Sequence, residues 1–144
     1  MGSPTNTGEK QPLQETIRAP GVPNGPPGSY SACKKVGDMV FISGTVAWDE
    51  NQKPLGGNDP YEQSRVIFGF MKKLMEAAGG EMDDIVRITV FTTDMRHQPQ
   101  FWRARKEFFR GDFPCSTLVA VSALFLPELL IEIEATGIIG SSKK

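Results

Sequence analysis

The chain has 144 residues, 39% of them hydrophobic, which suits one globular domain with a sizeable core. Sixteen Lys and Arg against 17 Asp and Glu leave a net charge of −1, which provides no basic field for nucleic-acid phosphates. No run approaches the ~20 apolar residues of a membrane span, and the N-terminus carries no apolar segment of the kind that directs export.

Residues 1–18 are polar and patternless and are expected to form a disordered tail. A single domain is then expected over 19–138, with a short C-terminal tail at 139–144. Gly21 to Gly28 (GVPNGPPG) reads as an extended loop. Tyr30–Lys35 reads as a short strand, Val36-Gly37-Asp38 as a turn and Met39–Ser43 as a buried strand. A third short strand is expected near Thr45–Trp48, turning at Asp49–Pro54. Asp59, Pro60 and Glu62 then mark a helix start with a capping box. Ile67, Met71, Leu74 and Ala78 recur at helical spacing, and Gly79-Gly80 stops the run. Asp84–Thr93 is a β-branched-rich strand. A second helix is expected over Pro99–Arg110, apolar at Phe101, Ala104 and Phe108.

The end of the chain, FPCSTLVAVSALFLPELLIEIEA (113–135), reads as two strands joined by a Leu126-Pro127-Glu128 turn. The whole order predicts an α+β protein, with hairpins at both ends and a mixed sheet covered on one face by two helices. Thr117–Phe125 is apolar at both its odd and its even positions. Two helices cover only one sheet face, so the other is expected to be buried against further copies of the chain.

The last strand ends in Glu132 and Glu134, two residues apart and therefore on one sheet face. Carboxylates set beside an apolar run are candidates for shifted pKa values and acid/base work. Cys33 and Cys115 have neither metal nor disulfide-framework spacing, which fits a reduced, cytoplasmic protein with both thiols packed. The lone histidine, His97, rules out a multi-histidine metal site, and no metal or cofactor is expected.

In order and spacing, several segments together resemble the Rid (YjgF) family of enamine/imine deaminases. They are Gly28-Ser29-Tyr30-Ser31, the run Gly37 to Gly44 (GDMVFISG), Glu62-Gln63-Ser64-Arg65, Glu76-Ala77-Ala78-Gly79, Phe113-Pro114 and Ile131-Glu132-Ile133-Glu134-Ala135. The resemblance runs from about Ala19 to Gly137. It implies a chorismate-mutase-like fold and a homotrimer with a central barrel, whose small-molecule sites lie in clefts between subunits. It also implies Glu132 as the residue that positions the attacking water, with Tyr30 and Ser43 lining the pocket. Three positions depart from the family pattern. Ser116 stands where the deaminases keep a carboxylate-binding arginine, Leu118 where they keep a cysteine, and Trp102 near their asparagine. An imine or enamine hydrolase with an atypical, more apolar pocket is therefore expected, favouring an aromatic, cyclic or less anionic substrate. The alternative is a protein of this fold without deaminase activity, acting as a small-molecule-binding or regulatory module or in a different chemistry. Arg96, Arg103 and Arg105 are the candidates for a replacement cation.

Overall fold

Two helices lie against one face of a six-stranded sheet in the computed structural model, which describes residues 13–143. The strands are β1 (Glu15–Thr16), β2 (Cys33–Val36), β3 (Met39–Val46), β4 (Ile85–Thr92), β5 (Cys115–Ala120) and β6 (Ile131–Ile138). The helices are α1 (Pro60–Ala77) and α2 (Gln98–Phe108). Spatially the strands run β1-β2-β3-β6-β4-β5. β6 is antiparallel to both its neighbours, whereas β5 runs parallel to β4. The α+β mixed sheet expected from the sequence is present.

Helix α1 starts where its signals lie. The Asp59 carboxylate accepts the Tyr61 N–H at 2.9 Å and Pro60 takes the first turn. Glu62 pairs with Arg65 at 3.1 Å instead of reaching back to close a capping box. Ile67, Phe68, Met71, Leu74 and Met75 form the buried stripe. The helix ends as Gly79 adopts φ +97° and the Gly80 N–H donates to Met75 O at 2.8 Å. Phe68 joins the two helices through rings of Phe101, Phe108 and Phe109, all with centroids 5.5–5.8 Å away. Met75 packs so close to β6 that a Cβ on Gly137 would lie 2.7 Å from its Cε.

A buried amide fixes the path of the chain into β6. Gln63 is fully buried, and its Nε2 donates to Gly57 O (2.8 Å) and to Glu128 O (2.9 Å). Its Oε1 accepts the Leu130 N–H at 2.9 Å. One side chain thus satisfies backbone groups of the glycine loop and of the segment entering β6, where no ladder reaches them. Asp84 does the same at the other end of β6. It accepts the N–H groups of Glu81, Gly140 and Ser142 and the Ser142 hydroxyl. Burial raises the Asp84 pKa, but these donors outweigh it and leave the carboxyl below its ordinary value.

The topology departs from expectation at the C-terminal pair. β5 and β6 do not form a hairpin. β4, α2 and β5 make a parallel crossover unit, and β6 returns antiparallel between β3 and β4. β5 also ends at Ala120 rather than Phe125; Phe125 is an exposed loop residue set edge-on to Trp48 at 5.7 Å. The separate third strand is absorbed into β3, which runs through Val46 with a register shift between Ile42 and Thr45. Cys33 is buried, and burial pushes its thiol pKa up to about 11, whereas Cys115 is exposed rather than packed. Within the expected tail, residues 1–12 lie outside the described residues. Glu15–Thr16 pairs with Lys34 and Lys35, and Ile17 is buried. The terminal 139–143 segment is likewise tied down by Asp84. No helix among the described residues is long and apolar enough to cross a membrane.

Gln63→Ala removes three part-buried hydrogen bonds to the backbone and is expected to cost about 3 kcal/mol, read as a lowered midpoint in urea unfolding with an unchanged m-value.

Candidate functional site

The alternation of β6 divides its side chains cleanly. Ile131, Ile133, Ala135 and Gly137 are buried toward the helices, which leaves Glu132, Glu134, Thr136 and Ile138 on the opposite face. On that open face Glu132 lies opposite Phe91 of β4 and Val46 of β3. The register shift in β3 inserts one extra residue at Ser43-Gly44, a β-bulge. Glu132 Oε2 occupies the place where a Cβ of Gly44 would stand. Only glycine leaves that space for the carboxylate. Burial, and secondarily the negative charge of Glu134, raise the pKa of Glu132 above the ordinary glutamate value.

Ser43 sits on the same bulge, its Oγ donating to Ser31 O at 2.6 Å. Tyr30 and Ser43 line a small crevice with Val22, Gly44 and Trp48, and Gly25 of the Pro/Gly loop packs on the Tyr30 ring. A larger cavity of about 320 Å³ opens beside it, lined by Ser31, Lys34, Phe41, Ser43, Arg87 and Glu134. The carboxylate in that cavity is therefore Glu134. Ser43 and Glu132 thus flank the bulge, whereas Tyr30 lines the adjoining crevice with Phe70 and Leu74 of α1, and Glu132 lines neither cavity.

Trp102, Ser116 and Leu118 lie elsewhere. Ser116 is registered with Ile88 and Leu118 with Val90, both buried under the helices, so this side of β5 is the helix side. Leu118 packs on the core, and Ser116 lies 3.5 Å from Nη1 of Arg105 on α2. Trp102, one turn before Arg105, is 46% exposed. Within one chain these residues and Glu132 occupy opposite faces of the sheet. β5 is also an edge strand whose residues are mostly exposed. Of the candidate cations, Arg96 is bound to Asp94 and Arg103 stacks on Tyr61 at 3.8 Å, while Arg105 alone reaches Ser116. His97 hydrogen-bonds Thr92 through Nδ1 at 2.9 Å. Among the described residues no three His, Cys, Asp or Glu side chains gather into a metal-binding group.

Gly44 is the residue that sequence reasoning passed over. Its only signal is the Ser-Gly pair inside a β-branched strand, a place where a bulge is expected.

A one-sided α+β sheet with a half-buried glutamate over a bulge glycine is the class of protein that fold and site define. The model of the family described as Endoribonuclease L-PSP matches residues 22–139, and the chain belongs to that family, which includes the Rid proteins. Among solved structures, a protein of unknown function from Pseudomonas aeruginosa is 37% identical, with a TM-score of 0.79 over 88% of this chain and 93% of that one. RidA from the Antarctic bacterium Psychrobacter is 30% identical, with a TM-score of 0.78 over 87% and 99%. YyfA of the conserved Rid protein family, from Yersinia pestis, is 27% identical, with a TM-score of 0.79 over 88% and 99%.

A raised folded-state pKa means that ionising Glu132 costs more in the folded than in the unfolded chain, so its contribution to stability falls as pH rises through the unfolded value, about 4.3. Glu132→Gln removes that penalty. It is expected to raise Tm relative to wild type at pH 7, with the difference closing near pH 4, as checked by thermal unfolding at both pH values.

Proposed function

We propose that the protein is a hydrolase of a small enamine or imine, with Glu132 as the acid/base. The observation that carries this reading is the Glu132 carboxylate, half-buried over Gly44 with its pKa raised and with Ser43 on the same bulge. Imine hydrolysis adds water to the C=N carbon and transfers a proton to the nitrogen, so that the C–N bond breaks and carbonyl and amine leave. One carboxylate serves both steps: it takes a proton from the attacking water and returns it to the departing nitrogen. A pKa lifted from the usual carboxylate range brings the two protonation states closer in energy near neutral pH. Ser43 keeps acceptor lone pairs after donating to Ser31, and Tyr30 offers a phenol at the mouth of the crevice.

The working unit in this reading is a homotrimer with each site shared between subunits. Two features support it. The open sheet face exposes Met39, Phe41, Val119 and Ile138, each between 38% and 42%. Glu132 also lies on the opposite side of the sheet from Ser116 and Leu118, so a second copy is what would bring the two together. RNA cleavage, which the family's description offers, is disfavoured by the net charge of −1 and by the engagement of the lone His97 with Thr92.

Glu132→Gln is expected to lower ammonia release from small imines roughly 100-fold or more, the scale of general acid–base catalysis. Equal rates for wild type and variant would remove Glu132 from the chemistry. Absence of turnover by either, across a panel of imines and enamines, would favour the binding-module alternative. The trimer is tested by light scattering: the wild type is expected at the mass of three 15.8 kDa chains, and Phe41→Glu on the open face at the mass of one.

A further inference from the structure

Arg105 is an unusual cation. Its guanidinium carbon lies 5.2 Å from the ring centroid of Phe101, 5.5 Å from Trp102 and 5.8 Å from Phe113. Its Nε is buried with no hydrogen-bond partner, and among the described residues no carboxylate comes within ion-pair distance of it. Its one polar neighbour is the Ser116 hydroxyl at 3.5 Å, a contact at the limit of a hydrogen bond. A half-buried guanidinium held by aromatic rings, with no acidic partner among the described residues, is costly to keep. An anion reaching its terminal nitrogens, which unlike Nε are not shut away, would offset that cost. Desolvation lowers its pKa from the ordinary arginine value, yet a guanidinium stays charged at neutral pH.

The surroundings also say which anion fits. Trp102 and Phe113 are 46% and 47% exposed, so the guanidinium lies beside solvent-facing rings on which a planar ligand can stack. The guanidinium fork matches a carboxylate in two parallel hydrogen bonds, and the small side chain of Ser116 leaves room beside it.

We propose that Arg105 is an anion-recognition residue of this chain, taking the carboxylate of a planar, aromatic imino or enamino acid between Trp102, Phe113 and Ser116. The site is thus aromatic and cationic, which suits the aromatic member of the aromatic, cyclic or less anionic substrates expected from the sequence and not the less anionic one. This rests on the hydrolase reading for the reaction that follows, but not for the binding itself.

Benzoate and benzamide share a shape and differ in charge, so they isolate the contact. In calorimetric titrations of the full chain, benzoate is expected to bind roughly tenfold or more tightly than benzamide, the effect of one charge-assisted pair. Arg105→Met is expected to abolish that preference with an unchanged or higher Tm, and Arg105→Lys to keep part of it. Benzoate that binds no tighter than benzamide, or an Arg105→Met variant that keeps the preference, overturns the proposal. Turnover separates this proposal from the hydrolase reading. Arg105→Met should slow hydrolysis of an aromatic imino acid but not of an uncharged aromatic imine. If wild type hydrolyses neither, the hydrolase reading fails while the benzoate comparison still decides the anion site.

Discussion

Everything in this fold is organised around the position of β6 at the centre of the sheet. Hydrogen-bonded on both sides, it cannot shift register without turning Ile131, Ile133 and Ala135 out of the core and Glu132 into it. Each end is pinned by a buried polar side chain, Gln63 where the strand begins and Asp84 just beyond where it finishes. Gly137 lets α1 press onto the strand, since any larger residue would meet Met75. The rigidity of that strand holds the Glu132 carboxylate in place over the β3 bulge.

Glu132 and Arg105 illustrate two ways of holding a charge at a cost. The glutamate is desolvated beside a second carboxylate, which weakens its acidity. The arginine is desolvated among rings and lacks an acidic partner, which leaves its hydrogen-bonding capacity unused. Structural ion pairs in the same molecule look different: Arg65 bridges Glu62 and Glu107, and Arg96 clasps Asp94. Such exposed pairs are satisfied within the chain and contribute little. The unsatisfied groups are the ones suited to act on something else. Because they stand on opposite faces of one sheet, the proposed chemistry and the proposed recognition can meet only through association of copies.

Much of the architecture was legible locally. Asp59-Pro60, the apolar spacing from Ile67 to Leu74 and Gly79-Gly80 mark α1 because capping and amphipathic burial act within a few residues. The pairing of the last two strands was not legible. A run such as Thr117–Phe125 reports that a strand is favourable, but carries no information about which neighbour supplies its ladder. The α2 crossover put β5 beside β4, and β6 filled the gap next to β3. For the same reason Ser116 could be named from its place after Phe113-Pro114, while its separation from Glu132 by the thickness of the sheet could not.

By itself the sequence determined the α+β class and the one-sided helical cover, which depend on periodicity and capping chemistry written along the chain. Its resemblance to the Rid family singled out Glu132, Tyr30 and Ser43 as a group. Only the tertiary structure decided that Glu132 is half-buried over Gly44, that Glu134 lines the larger cavity, and that Arg105 rather than Arg96 or Arg103 reaches Ser116. Desolvation and pairing are properties of the groups that surround a charge, and those groups are brought together by strand order and helix packing rather than by proximity in sequence.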